Sequence, residues 1–238
     1  MNKNKIIPHK IQVVILVGGY GKRLGSLTKK TPKPIIKINN KPFLFYLIKY
    51  LKKQGFKKFL FLAGFKGKIL KEVLDNFNHN KRYIFDYYIE RKPTGNAYVI
   101  FKARKKIENH FLLMNGDTFT NLNFKKFIQK VDLNKLMNIN LTKQINKAGG
   151  NFYLNKNKII FKEKTKHPSG LINSGIYFCN KKIIKFINKN NNSIEKNLIP
   201  ILIDKLQLYI IKSSVKLIDI GTKINIKKFS NYIVKNKL

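Results

Sequence analysis

The 238-residue chain carries 50 lysine and arginine residues against 11 aspartate and glutamate residues, a formal net charge of +39, and 43% of its residues are hydrophobic. That apolar content is enough for a sizeable buried core, so disorder is not the expectation. The lysines occur throughout the chain, which indicates a compositional bias and argues against a specific nucleic-acid partner. The one cysteine, Cys179, excludes an internal disulfide and favours a reducing, cytoplasmic compartment. No apolar run reaches about 18 residues, so no membrane insertion is predicted.

Apolar runs alternate with helical patterns in the first half of the chain. The predicted strands cover residues 12–17, 58–64, 83–90 and 110–118, and the predicted helices cover residues 41–55, 67–77 and 95–107. This order predicts repeated β-α units through about residue 120, which is typical of an α/β sheet with crossover helices.

The second half of the chain has a different pattern. A short helix over residues 123–133 precedes a hairpin over 150–164 that turns at Asn155 to Asn157, and a strand over 171–180 follows. Helical patterns cover residues 181–190 and 193–205, the second kinked or ended by Pro200, before strands at 207–213 and 215–221 and a helix at 224–235. We predict one α/β domain over residues 1–238, with a Rossmann-like, mixed but mostly parallel sheet flanked by helices and a small β-hairpin elaboration.

A glycine-rich loop directly follows the first predicted strand. Its glycines are Gly18, Gly19, Gly21 and Gly25. Such loops bring main-chain N–H groups close to phosphate. A dinucleotide fingerprint fails because Leu24 stands where the third glycine belongs, and a Walker A loop fails because Arg23 follows Gly21 and Lys22. The remaining feature is a glycine loop with two basic residues inside it, followed by Lys33 between two prolines.

This loop resembles the signature of the sugar-phosphate nucleotidyltransferases, which join a nucleoside triphosphate to a sugar 1-phosphate and release pyrophosphate. The matching pattern is Gly18-Gly19-x-Gly21-x-Arg23-Leu24, then Leu27-Thr28 and Pro32-Lys33-Pro34. The resemblance covers nearly the whole chain. It implies a nucleotide-binding half over about residues 11–120 and a sugar-phosphate-binding half over about 121–238. It also implies that Gly18, Gly19, Gly21, Lys22 and Arg23 bind nucleotide, with Arg23 and Lys33 acting in catalysis.

Two aspartates stand at the ends of predicted strands. Asp117 ends the strand in MNGDT, and Asp219 follows the apolar run in LIDIGT. Carboxylates at the carboxyl ends of strands can converge on a hard cation such as Mg²⁺, although each aspartate alone is equally compatible with a turn or a helix cap. In the resembled family the corresponding aspartates bind the catalytic metal, which implies that Asp117 and Asp219 hold Mg²⁺, with Asp117 catalytic.

Two further elements are similar to the sugar subsite of the family. Glu163 and Lys164 lie in FKEK, and Asn173 and Gly175 lie in LINSGIYF. The resemblance implies that Glu163 and Asn173 hydrogen-bond the sugar, that Lys164 holds its phosphate, and that Gly175 allows close approach. From the residues alone, a hairpin with charged outer positions explains them equally well.

The chain departs from the family pattern where the nucleoside is bound. Gly95 fits, but Asn96, Ala97 and Tyr98 replace a small, glycine-rich run, and Lys22 replaces a usual threonine. We still expect Gly95 and Asn96 to contact the nucleotide, and the departure leaves the base open.

Several stretches are similar to the guanylyltransferases that act on D-glycero-D-manno-heptose 1-phosphate, among them MNGDTF and SGLINSGIYFCNKK. This implies GTP and that heptose phosphate as substrates, in the synthesis of activated sugars for surface polysaccharide. Mannose 1-phosphate, glucose 1-phosphate and phosphocholine stay open as acceptors. The rival functions are a catalytically inactive nucleotide-binding relative and a charge-driven nucleic-acid binder. A homo-oligomer is compatible with the sequence.

Overall fold

The computed structural model describes residues 6–143, 151–155, 158–162 and 171–237. The strands are β1 (Gln12–Leu16), β2 (Lys37–Ile38), β3 (Lys41–Pro42), β4 (Lys58–Ala63), β5 (Ile84–Ile89), β6 (His110–Asn115), β7 (Thr118–Thr120), β8 (Met137–Thr142), β9 (Asn151–Asn155), β10 (Lys158–Lys162), β11 (Leu171–Asn180), β12 (Leu208–Ser213) and β13 (Leu217–Asp219). The α-helices are α1 (Ser26–Lys29), α2 (Phe43–Lys53), α3 (Gly67–Phe77), α4 (Tyr98–Lys102), α5 (Phe124–Gln129), α6 (Ile199–Asp204) and α7 (Lys223–Asn236).

One compact unit comprises Ile7–Pro93, Asn115–Thr120 and Leu217–Leu238. Its β1, β4 and β5 are parallel, with β4 between the other two, and α2 and α3 lie in the connections that parallel strands require. The short strands β7 and β13 pair antiparallel in the same unit. The β-α alternation predicted for the start of the chain is therefore present in this unit.

Helix α2 shows why the sequence folds this way locally. Leu44, Leu47, Ile48 and Leu51 follow helical spacing, and all four are fully buried. The helix ends just before Gly55, whose φ of 100° is unfavourable for other residues. The apolar periodicity and the glycine predicted both features.

Helix α7 returns the end of the chain to this first unit. The buried ring of Phe229 packs against Phe43, Tyr46 and Phe119, with ring centroids 5.0, 5.7 and 5.1 Å apart. Aromatic pairs at these separations add to the gain from burial. The helix thus holds the residues that precede it, β13 included, within the unit.

The other unit comprises Met1–Ile6, Thr94–Met114 and Asn121–Lys216. Strand β11 pairs antiparallel with β6, β8 and β9, and β12 pairs parallel with β8. Strands β9 and β10 pair antiparallel, as the predicted hairpin requires, and residues 156–157, part of the predicted turn, lie outside the described residues. Strand β8 was not predicted, although all six of its residues are buried.

Three predicted helices differ from the structure. Residues 95–107 form only α4 and a 3-10 turn. Within residues 181–190 only Lys181–Phe186 are helical, and they form a 3-10 helix that buries Ile183 and Ile184. Pro200 does not end the helix predicted at 193–205. A π-helical turn, Ile194–Leu198, leads into α6, and Pro200 lies in the first turn of α6, where its missing N–H costs little.

The units draw on alternating segments of the chain rather than on a first and a second half. The assignment of one nucleotide-binding and one sugar-phosphate-binding half stays a prediction. Across the part of the chain that is described, no helix has the length and apolar character needed to cross a membrane.

Candidate active site

The glycine loop after β1 is closely packed at Gly21. This residue has a φ of +65°, and a Cβ there would lie 2.8 Å from Thr28 Cγ2 and 3.2 Å from Lys33 Cβ. The Thr28 hydroxyl donates a hydrogen bond to the Gly21 carbonyl over 3.1 Å, which ties the loop to α1. A Cβ at Gly18 would lie 3.2 Å from the main-chain nitrogen of Gly64. The loop therefore lies against Lys33. Three of its glycines are required: Gly18 by space, and Gly21 and Gly25, which has a φ of +56°, by conformation.

The other residues of the loop face more open space. A Cβ at Gly19 would contact nothing within 4 Å. Lys22 is exposed, and its Nζ lies 5.8 Å from the centroid of the Tyr20 ring. The loop thus offers an accessible glycine and an exposed positive charge, both of which suit a phosphate ligand.

Lys33 joins the two predicted metal-ligating aspartates. Its Nζ donates to Asp117 Oδ2 over 2.8 Å and to Asp219 Oδ1 over 2.9 Å. The lysine side chain is 7% exposed, whereas those of Asp117 and Asp219 are 37% and 24% exposed. A buried ammonium therefore links two carboxylates that solvent still reaches.

The strands bring these aspartates together from distant parts of the chain. Asp117 lies between β6 and β7, and Asp219 is the last residue of β13, opposite Thr118 of β7. Lys33 enters from a 3-10 turn that begins after Pro32 and includes Pro34. Proline fixes φ, so these two residues stiffen the main chain on both sides of the lysine.

Asp219 has two further partners. Its Oδ1 accepts a hydrogen bond from the Gly221 main-chain nitrogen over 2.8 Å, and its Oδ2 lies 3.6 Å from Arg23 Nη2. A Cβ at Gly221 would lie 2.6 Å from Arg23 Nη2 and within 2.9 Å of both Asp219 carboxylate oxygens, so a side chain there would displace both groups. Arg23, at 62% exposed, connects the glycine loop to the carboxylates and stays open to a ligand.

The two carboxylates fit a hard divalent cation. Both present oxygen atoms, both are partly exposed, and both already share one positive charge at Lys33 Nζ. In the described ranges no group of three histidine, cysteine, aspartate or glutamate side chains could hold a metal. Two carboxylates with water and phosphate oxygens completing the shell is the arrangement that Mg²⁺ favours.

The other unit contains Gly95 and Asn96. Gly95 has a φ of +110°, and a Cβ there would lie 2.3 Å from the Asn192 carbonyl oxygen. The Asn96 amide nitrogen donates to Glu195 Oε2 over 2.8 Å, and its Oδ1 accepts from the Ile194 main-chain nitrogen over 2.8 Å. Both polar atoms of the Asn96 side chain thus have partners within the protein.

Asn173 and Gly175 lie at an irregular point of β11, where its pairing with β8 shifts register between residues 173 and 177. Gly175, with φ +71°, donates its main-chain N–H to Asn173 Oδ1 over 2.8 Å, and Asn173 Nδ2 donates to the Tyr177 hydroxyl over 2.6 Å. Burial raises the pKa of Tyr177 well above its ordinary value, and the Glu195 carboxylate adds to this. The phenol therefore stays protonated and can donate.

The structure brings one group of predicted residues together in the first unit. This group contains Gly18, Gly19, Gly21, Lys22, Arg23, Lys33, Asp117 and Asp219. Gly95, Asn96, Asn173 and Gly175 belong to the other unit, and Glu163 and Lys164 lie outside the described residues. The sequence did not predict that Glu195 contacts Asn96. The available signal was that Glu195 is one of few acidic residues and closely follows Ser193, a residue type that caps helices.

Comparisons with known proteins agree with the geometry. Residues 12–235 match the family described as Nucleotidyl transferase. The chain is 35% identical over 181 residues to the D-glycero-alpha-D-manno-heptose 1-phosphate guanylyltransferase of Aneurinibacillus thermoaerophilus, covering 74% of this chain and 77% of the relative. It is 36% identical over 178 residues to the protein of that name from Campylobacter jejuni, covering 73% and 77%.

A solved structure covers even more of the chain. HddC from Yersinia pseudotuberculosis, crystallised in complex with GMP-PN, matches with a TM-score of 0.78 and 30% identity over 94% of this chain and 99% of that one. The predicted fold, a Rossmann-like mixed sheet flanked by helices, is confirmed. The glycine loop, the family match and these relatives together establish that the chain belongs to the nucleotidyl transferase family.

Proposed function

We propose that the protein transfers a guanylyl group from GTP to D-glycero-D-manno-heptose 1-phosphate and releases pyrophosphate. The observation that carries the proposal is the joining of Lys33, Asp117 and Asp219 beside the glycine loop. The guanylyltransferase relatives and the structural likeness to a protein crystallised with GMP-PN support the choice of nucleotide and sugar.

In this reaction an oxygen of the sugar 1-phosphate attacks the α-phosphorus of GTP in line. A new phosphorus–oxygen bond forms, the bond to the β-phosphate oxygen breaks, and pyrophosphate leaves with the electron pair. Two anions must meet, so positioning and charge neutralisation supply most of the rate enhancement.

The first unit holds the residues for the nucleotide. The main-chain N–H groups of Gly18, Gly19 and Gly21, with Lys22 and Arg23, bind the triphosphate. Arg23 is suited to this because its guanidinium is largely exposed while it also contacts Asp219. Lys33 lies directly against the loop and neutralises the α-phosphate.

The family works with a divalent metal ion, and we assign it here to Mg²⁺ held by Asp117 and Asp219. When bound, the ion would neutralise negative charge that develops on the phosphate oxygens. In the free protein the Lys33 ammonium keeps the two like-charged carboxylates together, so the site is assembled before the substrates arrive.

The residues of the other unit hold the acceptor and the nucleoside. Asn173 and Gly175, with Glu163 and Lys164, form the sugar-phosphate site in this proposal. The main chain at Gly95 and Asn96 contacts the nucleoside. The cytoplasmic location and a homo-oligomeric state stay predictions from the sequence.

The test is pyrophosphate release by the purified protein with Mg²⁺, crossing GTP, CTP, UTP, dTTP and ATP with heptose, mannose and glucose 1-phosphates and phosphocholine. Turnover confined to GTP with the heptose phosphate is the expected result. Turnover with another pair would keep the enzyme class and correct the substrates. Nucleotide binding without turnover would establish the inactive relative, and RNA binding that weakens steeply with salt would favour the nucleic-acid binder.

A further inference from the structure

Glu195 lies in a rare structural element. It is the second residue of the π-helical turn Ile194–Leu198, and single π-turns are frequent at functional sites. The turn is capped without the Glu195 side chain. Ser193 Oγ accepts from the Lys196 main-chain nitrogen over 3.2 Å, and Asn197 Oδ1 accepts from the Ser193 main-chain nitrogen over 3.1 Å. The carboxylate is therefore available for contacts elsewhere.

The first of these contacts reaches the loop that contains Gly95. Asn96 donates to Glu195 Oε2 over 2.8 Å, and the Ala97 main-chain nitrogen donates to the Asn192 carbonyl over 2.9 Å. The approach of the Asn192 carbonyl to this loop also requires glycine at position 95, because that carbonyl occupies the space that a Cβ would take. The conformation of the loop thus depends on the turn that carries Glu195.

The second contact reaches the bulged part of β11. The Tyr177 hydroxyl lies 3.5 Å from Glu195 Oε1, a long hydrogen bond, and the same hydroxyl accepts from Asn173 over 2.6 Å. Among the described residues, the side chains of Asn96 and Tyr177 hydrogen-bond the carboxylate, and both are neutral. One oxygen of Glu195 contacts the loop that contains Gly95 and Asn96, which we call the Asn96 loop. The other contacts Tyr177 in the bulged part of β11, residues 173–177, which we call the Asn173 element.

We propose that Glu195 is a positioning residue: by contacting both the Asn96 loop and the Asn173 element it fixes the conformation of each, and so increases the affinity for both substrates. The inference depends on the proposed function, in which these two segments contact the nucleoside and the sugar phosphate. In this proposal Glu195 acts through these two segments and not on the reacting groups. Its loss should therefore raise KM more than it lowers kcat.

The test compares Glu195→Ala and Glu195→Gln with Glu72→Ala, which removes one exposed carboxylate from α3. Glu195→Ala should raise KM for GTP and for the sugar phosphate by about tenfold each, equal to about 1.4 kcal/mol, with kcat within about threefold of wild type. Glu195→Gln retains an acceptor for Asn96 and should recover most of the loss. Equal KM values for Glu195→Ala and Glu72→Ala would overturn the proposal.

A second pair of variants keeps the test decisive if Glu195→Ala does not fold. Asn96→Asp places a second carboxylate beside Glu195, and this repulsion should raise KM for GTP. In the double variant with Glu195→Gln, the glutamine amide donates to the new aspartate, so KM for GTP should return towards the wild-type value. Failure of the double variant to recover while both proteins stay folded would contradict the proposal.

A binding measurement separates the two levels of inference. Calorimetry of a non-hydrolysable GTP analogue reads the Asn96 loop without turnover and should show the same tenfold loss in Glu195→Ala. A wild-type protein that binds no nucleotide would refute the proposed function itself. A wild-type protein that binds and turns over, with Glu195→Ala unchanged in both assays, would refute only the role of Glu195.

Discussion

Replacing Lys33 with methionine removes the positive charge between Asp117 and Asp219 while keeping a side chain of similar length. The lysine is buried and both its partners are carboxylates at 2.8 and 2.9 Å, so the variant leaves two like charges facing each other. Breaking a fully buried ion pair costs about 3–5 kcal/mol, and the 37% and 24% exposure of the carboxylates reduces this to about 2 kcal/mol. For a chain of this size that is a fall in Tm of about 4–8 °C.

The assay is thermal unfolding at low ionic strength in the presence of a chelator. The matched control is Lys68→Met, which removes the same charge from an exposed position on α3. Because the chain carries a net charge of +39, losing one positive charge there should relieve repulsion slightly and leave Tm unchanged or a little higher. A Lys33→Met variant as stable as Lys68→Met would refute the reasoning.

Adding Mg²⁺ in place of the chelator extends the same experiment. Without the ammonium, the two carboxylates should bind a divalent cation more tightly, and binding to the folded state raises Tm. The increase in Tm should therefore be larger for Lys33→Met than for the wild type. An equal increase in both proteins would place the cation elsewhere.

Three further predictions concern single residues. Asp117→Asn should lower kcat at least about 100-fold in a folded protein, whereas Asp204→Asn on α6 should not; wild-type turnover would remove Asp117 from the metal site. Gly21→Ala should cost about 1–3 kcal/mol in unfolding free energy, because its φ is +65° and its Cβ would contact Thr28, whereas Gly19→Ala should cost little; equal stability of the two would contradict the packing described. Burial raises the pKa of the Cys179 thiol, so iodoacetamide at pH 8.5 should label the protein only after denaturation, and labelling of the native protein would disprove that burial.

Periodicity and glycine placement were enough to predict the main parallel strands of the first unit and the helices α2 and α3, which bury one apolar face, but not the short elements α1, β2 and β3. Strand β8 was missed even though its apolar residues alternate with asparagine, a pattern typical of a strand with one exposed face; in the structure both faces are buried. Asn138 exchanges hydrogen bonds with the main chain of Asp132, and Asn140 donates to Ser213 Oγ, so both polar side chains are satisfied inside the protein. Those partners come from other elements, and local sequence does not reveal them.

The candidate site divides in the same way. Asp117 and Asp219 could be suggested from their positions at strand ends, because the edge of a sheet collects such residues. The hydrogen bonds from Lys33 to both aspartates could not be predicted, because Lys33 is 84 residues from Asp117 and 186 residues from Asp219 along the chain. Asn96 was expected to contact the nucleotide, but both of its side-chain polar atoms have protein partners, one of them Glu195.

The order in which the ribosome makes these segments has a consequence for the timing of activity. Lys33 is synthesised early, Asp117 midway, and Asp219 only after about nine-tenths of the chain, followed by the helix that carries Phe229. A chain whose synthesis stops before Asp219 therefore has the glycine loop and Lys33 but lacks one of the two carboxylates that Lys33 joins. Lys33 can join both carboxylates only after β13 has been synthesised and has paired with β7.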